Sequence, residues 1–201
     1  MTKAQKTHHL TVAALLAAVA AVLQFIEFSI PLVPAFIKLD ISDLPALLGT
    51  FSLGPVYGVV IQLVKNLLHL PFGTSAGVGE LSNFLLGAAF AFTAGMIYKH
   101  RKSRSNALWG SVAGAVVMAL ISLPINYFIV YPAYVVVYGM PLEAIVGMYQ
   151  EILGAVANIP TSNALLNCLL LFNVPFTLAK GLLNVVLCFL IYKPLSPLLH
   201  K

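Results

Sequence analysis

The sequence contains few charged residues and few cysteines, and both shortages narrow the range of possible functions. Only 8% of its 201 residues are charged, whereas 60% are hydrophobic and the mean hydropathy is +0.96. An average soluble domain carries about 25% charged residues, so the composition predicts an integral membrane protein that forms one domain over residues 1–201. The two cysteines, Cys168 and Cys188, lack CxxC or metal-ligand spacing and give no sign of redox or metal chemistry.

The sequence also lacks the motifs that mark common catalytic and nucleotide-binding sites. HExxH and GxxxxGK[ST] are absent, and the GxSxG match at residues 73–77 lacks the preceding strand that a nucleophile elbow needs. The glycine-rich segment 73–79 lies between two apolar segments, so we expect a flexible loop there instead of a phosphate-binding turn. We therefore expect no catalytic residues, no cofactor and no bound metal, and any active transport would draw its energy from a partner or an ion gradient.

Four apolar segments have about the 20 residues that a membrane-spanning helix needs. They are residues 10–28, 81–98, 107–130 and 174–192. The segment 44–70 is ambiguous, because it fits either one broken helix or two shorter helices, 44–53 and 55–70, joined at Gly54-Pro55. The Gly-Pro pair favours the second interpretation, since it is a strong break and proline suits the first turn of a helix.

The positions of the basic residues support two helices between residues 44 and 70. If this segment crosses the membrane twice, eight basic residues fall on one side: Lys3, Lys6, Lys99, Arg101, Lys102, Arg104, Lys193 and Lys201. Basic residues concentrate in cytoplasmic loops, so we predict an all-α bundle of six transmembrane helices with both termini cytoplasmic. The same distribution argues against a nucleic-acid-binding surface.

Three connections then face outward, at residues 29–43, 71–79 and 131–173. The last contains an amphipathic pattern over residues 141–153, with apolar side chains at Leu142, Ile145, Val146, Tyr149 and Ile152. We expect a helix lying at the outer surface there. Long outer connections and short inner ones indicate that the outer face carries the binding function.

Two lysines, Lys65 and Lys180, lie inside apolar segments where a charge costs roughly 2.5–3.5 kcal/mol at the bilayer centre. Each has polar neighbours at helical spacing, and with six helices these stripes converge near Glu80 and Asn83 in the outer half of the bundle. Lysines reaching towards the interface, or polar groups that only join helices, are the simpler explanations. Two lysines and a glutamate in one set favour a cavity that binds a largely apolar ligand through a few hydrogen bonds.

The first helix repeats small residues every four positions, at Ala13, Ala17 and Ala21. Small residues at this spacing allow helices to approach closely in lipid. The pattern fits internal packing and a docking face for another protein equally well.

Five motifs resemble the riboflavin-specific substrate-binding (S) components of energy-coupling factor (ECF) vitamin transporters. They are FIKLDISDLP at 36–45, LVKNLLH at 63–69, GELSNF at 79–84, YGMP at 138–141 and PFTLAKG at 175–181. The resemblance implies a multi-pass protein of the bacterial cell membrane that binds riboflavin near the outer face. It also implies a transmembrane coupling subunit and two ATPase subunits as partners, with Ala13, Ala17 and Ala21 docking the coupling subunit.

Riboflavin has a flat ring, a polar imide-like edge and a chain of hydroxyls, which suit aromatic side chains and hydrogen-bonding groups. The expected ligand-binding residues are Phe36, Leu39, Asp40, Lys65, Asn66, Glu80, Asn83, Asn126, Tyr127, Phe176 and Lys180. The ring would lie among Phe36, Phe84, Tyr127 and Phe176, and segment 29–43 would act as a lid. Glu80 or Asp40 would neutralise Lys65 and Lys180.

Two other functions remain open from the sequence. An ion-coupled secondary carrier for a small polar aromatic metabolite would use Glu80, His69 and the lysines as a proton relay. A membrane enzyme, such as a transferase, would use Glu80 and His69.

Overall fold

A computed structural model describes residues 2–154, 159 and 162–199, with side chains as far as Ile191. The described chain is almost entirely helical. Its helices are α1 (Lys3–Gln24), α2 (Asp43–Leu53), α3 (Pro55–His69), α4 (Val78–His100), α5 (Arg104–Ile125), α6 (Tyr131–Tyr138), α7 (Leu142–Leu153), α8 (Ala164–Cys168) and α9 (Val174–Leu199). Two π-helical turns, Asn126–Val130 and Leu169–Asn173, join α5 to α6 and α8 to α9.

Segment 44–70 contains two helices that fold back on each other. Gly54 separates α2 from α3 with φ of 113°, a value that side chains rarely adopt, and Pro55 starts α3. The helices touch closely, because a Cβ atom on Gly58 would lie 3.2 Å from the Ala46 carbonyl oxygen. The chain thus returns to the level at which α2 began.

Successive helical runs alternate in direction, so the bundle has two distinct ends. One end, which we call the cavity end because a cavity opens there, contains Gln24, Asp43, His69 and the start of α4. The contacts Gln24–Asn66 and His69–Glu80 join these parts of the chain. The basic end contains the start of α1 and the α4–α5 connection, residues 101–103. Within the part of the chain that the structure describes, four helical runs are long and apolar enough to cross a membrane: Lys3–Gln24, Val78–His100, Arg104–Tyr138 and Ala164–Ile191.

The expectation of an outer connection over residues 131–173 was wrong. Helix continues through α6 to Tyr138 and resumes at Ala164, so only residues 139–163 lie between the two runs. Pro132 and Pro175 each follow a π turn by two residues. A proline cannot donate a backbone hydrogen bond, and the π turns shift the bonding to i→i−5, as in Tyr131 N–H to Asn126 O. The helices therefore pass through both proline positions.

The core runs the length of the bundle in three clusters of buried apolar residues. Glycines bring α4 and α5 together, since a Cβ atom on Gly114 would lie 2.7 Å from the Phe90 carbonyl oxygen. At the cavity end, α7 covers the bundle and buries Ile145 and Tyr149, two of the apolar residues in the amphipathic pattern.

The alanine face assigned to partner docking lies inside the bundle. Ala13, Ala17 and Ala21 are 6%, 2% and 5% exposed, and the first two pack in a cluster with Ala46 and Ile61. A docking role for this face is therefore wrong for the fold described here, because α2 and α3 already occupy it. Ala14 and Ala18, next to the buried alanines in sequence, are exposed instead.

Candidate functional site

A cavity of about 140 Å³ opens at the cavity end, between the segment before α2 and helices α4, α5, α6 and α9. Seven of the eleven predicted ligand-binding residues line it: Phe36, Asp40, Glu80, Asn83, Asn126, Phe176 and Lys180. The lining combines carboxylate, amide and ammonium groups with aromatic rings. This combination suits a ligand that has a flat apolar part and several hydrogen-bonding groups.

Lys180 joins three parts of the chain at the cavity wall. Its Nζ donates to Asp40 Oδ2 at 2.8 Å and to Asn83 Oδ1 at 3.1 Å. Asp40 Oδ1 in turn accepts from the Ser42 backbone N–H at 2.9 Å and from the Ser42 hydroxyl. The expected neutralisation of Lys180 by Asp40 is present, and it ties α9 to α4 and to the segment before α2.

Lys65 does not reach the cavity, contrary to expectation. Its side chain and that of Asp43 are both 0% exposed, and Nζ lies 2.7 Å from Asp43 Oδ1. It also donates to the Ser42 hydroxyl at 2.6 Å. The expected partners, Glu80 or Asp40, are displaced because the α2–α3 hairpin brings Asp43 against Lys65. This pair lies behind the cavity wall and supports it.

Glu80 pairs with a histidine, not with a lysine. Its Oε1 lies 2.9 Å from His69 Nδ1, and its Oε2 accepts from the Ser75 hydroxyl at 2.6 Å. Ser75 Oγ also accepts from the Gly79 backbone N–H at 2.9 Å. These contacts fix the carboxylate at the cavity wall and connect it to the loop before α4.

Leu39, Asn66 and Tyr127 were predicted to bind ligand but do not line the cavity. Leu39 lies in the short strand β2 (Lys38–Leu39), which pairs with β1 (Phe28–Ser29). Because alternate strand residues face opposite sides, Lys38 and Asp40 face the cavity and Leu39 does not.

Asn66 is one layer behind the wall, where it accepts from Gln24 Nε2 at 3.1 Å and donates to the Gln62 carbonyl oxygen at 2.8 Å. Tyr127 contacts the Phe128 ring edge to face, with centroids 4.9 Å apart. Phe84, expected beside the ring, also lies off the lining, one position beyond Asn83 on α4. A helical step of about 100° is enough to remove a neighbouring residue from the wall.

The structure adds aromatic and amide residues that the predicted set omitted. Tyr131, Tyr134 and Asn173 line the cavity. Behind them, Tyr149 of α7 donates to Asn173 Oδ1 at 2.5 Å and contacts the Tyr131 hydroxyl, while Asn173 Nδ2 donates to that hydroxyl at 3.1 Å. The triad Tyr131–Tyr149–Asn173 fastens α7 to the cavity wall. The run of apolar and aromatic residues continues past Val130 to Tyr138, and this run, unlike a helical period, could have shown that the helix extends to the two cavity tyrosines.

Electrostatics keep Asp40 ionised although the residue is only 3% exposed. Burial raises its pKa, but the positive charges of Lys180 and Lys65 and the hydrogen bonds from Lys180 and Ser42 outweigh burial. The net effect holds the pKa of this carboxyl well below its ordinary value of 3.8. An anion at this position keeps the Asp40–Lys180 pair closed.

The segment before α2 forms a cover over the cavity. Strands β1 and β2 hold it as a small hairpin, and Lys38 forms an ion pair with Glu27 across its base. Ligand pockets usually measure about 300–1,000 Å³, so this cavity, at about 140 Å³, is small with the cover in place. Within the described residues, no group of three His, Cys, Asp or Glu is placed to hold a metal ion.

Comparisons with known proteins agree with this architecture. The family model of the ECF transporter substrate-specific component matches residues 8–192. The riboflavin transporter RibU of Staphylococcus aureus is 34% identical, covering 98% of this chain and 95% of its own. The riboflavin transporter FmnP of Bacillus subtilis is 26% identical, covering 98% and 96%.

A solved structure described as the S component of a bacterial ECF transporter superposes with a TM-score of 0.74 at 34% identity, covering 98% of this chain and 99% of the other. The family model and the solved relative each match nearly the whole chain, and both are S components. The chain belongs to the family of ECF transporter substrate-specific components.

Proposed function

We propose that this chain binds riboflavin and mediates its uptake as the S component of an ATP-driven ECF transporter in a bacterial cell membrane. The observation that carries the proposal is the cavity, which combines hydrogen-bonding groups on Asp40, Asn83 and Lys180 with the rings of Phe36 and Phe176. Relatives that match almost end to end are named riboflavin transporters, which supports the choice of ligand.

The proposed binding mode follows from the chemistry of the wall. The flat ring lies between Phe36 and Phe176, with Tyr134 nearby, because aromatic faces stack favourably on an extended ring. Amide and carboxylate groups at Asn83, Asn126 and Glu80 meet the polar ring edge and the hydroxyl chain. The role is binding without chemical conversion, so ATP hydrolysis belongs to partner subunits.

The cover over the cavity is the proposed lid. Opening requires the hairpin to move while Asp40 separates from Lys180, which leaves both charges facing the cavity and water. A bound ligand that hydrogen-bonds Lys180 and Asn83 compensates for part of the free energy lost when the Asp40–Lys180 ion pair opens. The lid then closes over the ligand, which excludes water and strengthens the polar contacts.

We place the docking face for a coupling subunit on the exposed side of α1, at Ala14 and Ala18. Both are exposed, four residues apart, and flanked by the exposed apolar residues Leu15, Val19 and Val22. Small residues at this spacing permit close helix approach in lipid. This face lies beside the buried face of Ala13, Ala17 and Ala21, so it is available without rearranging the bundle.

The direct test is a titration of purified full-length protein with riboflavin, followed by quenching of flavin fluorescence. We expect saturation at one riboflavin per chain and flavin absorbance bands in protein purified from riboflavin-containing cells. Chemically unchanged riboflavin after prolonged incubation is expected as well, whereas a converted product would indicate an enzyme. Absence of saturable binding would refute the proposal.

The His69–Glu80 pair at the cavity wall is the observation that favours an ion-coupled carrier. Vesicles containing this chain alone separate the two functions. Uptake that an uncoupler abolishes would support the carrier, while uptake that requires ATP and coupling subunits would support the S component.

A further inference from the structure

Charge is distributed very unevenly between the two ends of the bundle. The six acidic residues occur at 27, 40, 43, 80, 143 and 151, all at the cavity end or on α7. The α4–α5 connection carries Lys99, Arg101, Lys102 and Arg104 within six positions. None of these four forms an ion pair with any described residue. Their mutual repulsion is unrelieved within the described chain, so an external anion would stabilise this end.

A second cavity of about 140 Å³ lies at this basic end. Its floor is apolar, formed by Phe51 of α2 and by Cys188 and Phe189 of α9. Its rim is polar and basic, formed by Lys102, Ser103 and Arg104. The cavity thus has positive charges at its rim and an apolar surface at its floor. An amphiphile with an anionic headgroup and an apolar chain is complementary to this arrangement.

The rim has further features that favour an anion. Ser103 caps α5 by accepting the Asn106 backbone N–H at 3.2 Å, so the positive end of the α5 dipole points at the rim. Lys102 and Arg104 are exposed and free to reorient towards a headgroup.

The position of this cavity along the bundle axis is consistent with the membrane interface. Trp109, the single tryptophan of the chain, is 66% exposed and lies five residues into α5, about 7.5 Å along the helix axis from Arg104. Tryptophan concentrates at the level of lipid headgroups. We therefore expect a phosphate of the adjoining leaflet to come within reach of Lys102 and Arg104.

We propose that this second cavity is a binding site for one anionic phospholipid. The lipid phosphate binds Lys102 and Arg104, and the start of its acyl chains packs against Phe189 and Phe51. Basic pockets between membrane helices on the cytoplasmic side suit such headgroups. A free phosphate ion would use the rim but would gain nothing from the apolar floor, which is why we assign the site to a lipid.

The test is native mass spectrometry of the full-length protein, titrated in detergent with phosphatidylglycerol or phosphatidylcholine. The variant K102Q/R104Q removes the rim charges. The control K3Q/K6Q removes two charges from the same end, outside the cavity. We expect the first phosphatidylglycerol to bind about tenfold more tightly than phosphatidylcholine, and K102Q/R104Q to weaken it about 30-fold. The control should change it less than about threefold.

Lys3, Lys6, Lys102 and Arg104 are all exposed. Both double variants should therefore keep the wild-type unfolding temperature in lipid-free detergent. Three results would overturn the proposal: equal affinity for the two lipids, equal losses in K102Q/R104Q and K3Q/K6Q, or inorganic phosphate displacing phosphatidylglycerol with comparable affinity. The second would indicate a diffuse charge effect, and the third would indicate a small-anion site.

Discussion

Lys65 and Lys180 show two ways of keeping a lysine inside an apolar bundle. Lys65 forms a fully buried ion pair with Asp43, and neither side chain is exposed. Lys180 pairs with Asp40 at the cavity wall, where its side chain is 8% exposed. Removing one partner of a buried pair leaves an uncompensated charge, whereas a pair beside a cavity can be rescued by water or ligand. The first pair should therefore serve stability and the second should serve binding.

Replacing cavity residues should weaken riboflavin binding without unfolding the protein. We expect Lys180→Ala and Asn83→Ala each to lower affinity roughly 5- to 150-fold, because each removes a hydrogen bond to a desolvated ligand group worth about 1–3 kcal/mol. Fluorescence quenching of riboflavin measures the effect. Matched controls are Lys6→Ala and Asn106→Ala, which lie away from the cavity and should bind as the wild type does. Unchanged affinity in both cavity variants would exclude the proposed site.

Lys65→Ala should instead destabilise the fold. Asp43 would be left as a buried anion without its cation, at a cost of about 3–5 kcal/mol. Thermal unfolding in detergent should show a markedly lower midpoint than for Lys180→Ala. A midpoint equal to the wild type would mean that water reaches Asp43 and that the pair is not sealed.

The lowered pKa of Asp40 predicts a specific pH dependence. A carboxyl whose pKa falls on folding contributes stability above its ordinary pKa of 3.8, and that contribution is lost as pH falls towards the folded value. The difference in unfolding temperature between wild type and Asp40→Asn should stay constant from about pH 8 to pH 5 and shrink below about pH 4. A difference that already shrinks near neutral pH would show that Asp40 is not held ionised by Lys180.

At the residue level, helical spacing correctly placed Glu80, Asn83 and Lys180 on the cavity wall. It failed for Lys65 because spacing identifies a face of α3 but not the depth of the facing helix. The α2–α3 hairpin, a tertiary contact, decides that Asp43 lies nearer than the cavity does. Leu39 failed for a local reason, since a two-residue strand is too short to leave a periodic signal.

Among the helical elements, the two π turns shape the cavity most directly. Each adds one residue to a turn, and Asn126 and Asn173, which both line the cavity, lie within these two turns. A pattern of strict helical period cannot register such an insertion. For that reason the prediction ended the fifth helix at residue 130 and began the last one at residue 174. It therefore missed Tyr131 and Tyr134 on the cavity wall.

Tyr149→Phe should loosen α7 from the bundle. The substitution keeps the ring and removes the hydroxyl that donates to Asn173, so the buried amide oxygen loses its donor. We expect a loss of about 1–3 kcal/mol in unfolding free energy and faster amide hydrogen exchange within α7. Tyr138→Phe, which removes an exposed hydroxyl bonded to the Thr74 carbonyl oxygen, is the control. Equal exchange in both variants would argue against the triad as the fastening of α7.

The two alanine faces of α1 make separable predictions. Ala18→Trp should leave riboflavin binding by the isolated protein intact and abolish uptake in cells, because it blocks the exposed face on which a coupling subunit would dock. Ala17→Trp should destabilise the isolated protein, since Ala17 is 2% exposed and has no room for a larger side chain. Co-purification with coupling subunits and uptake assays measure the first, and thermal unfolding measures the second. Normal uptake by Ala18→Trp would move the docking face elsewhere.

At the scale of the whole molecule, charge and connectivity agree on one orientation. Helical runs alternate in direction, so the start of α1, the α4–α5 connection and the end of α9 lie at the same end, where the basic residues are concentrated. Composition was enough to predict a membrane bundle, and the charge distribution was enough to favour a return at Gly54. The lengths of α2 and α3, 11 and 15 residues, are also close to those of the predicted segments 44–53 and 55–70, and each helix is shorter than a full span.

Surface labelling tests whether α2 and α3 return the chain to the side of the membrane from which they start. Both native cysteines are buried, so a single introduced cysteine can be labelled with a membrane-impermeant thiol reagent. We expect Glu143→Cys, on α7, to react in intact cells. Lys6→Cys and Lys99→Cys should react only after the membrane is opened, because basic residues remain on the cytoplasmic side.

The pair of positions 6 and 99 is decisive because α2 and α3 lie between them. If α2 and α3 together crossed only once, the number of crossings between the two positions would be odd, and one of them would react from outside. If they cross as a returning pair, as the contact of Lys65 with Asp43 favours, both stay protected. Labelling of position 143 from the same side as position 6 would instead reverse the assignment of the cavity to the outer face, and with it the proposed direction of uptake.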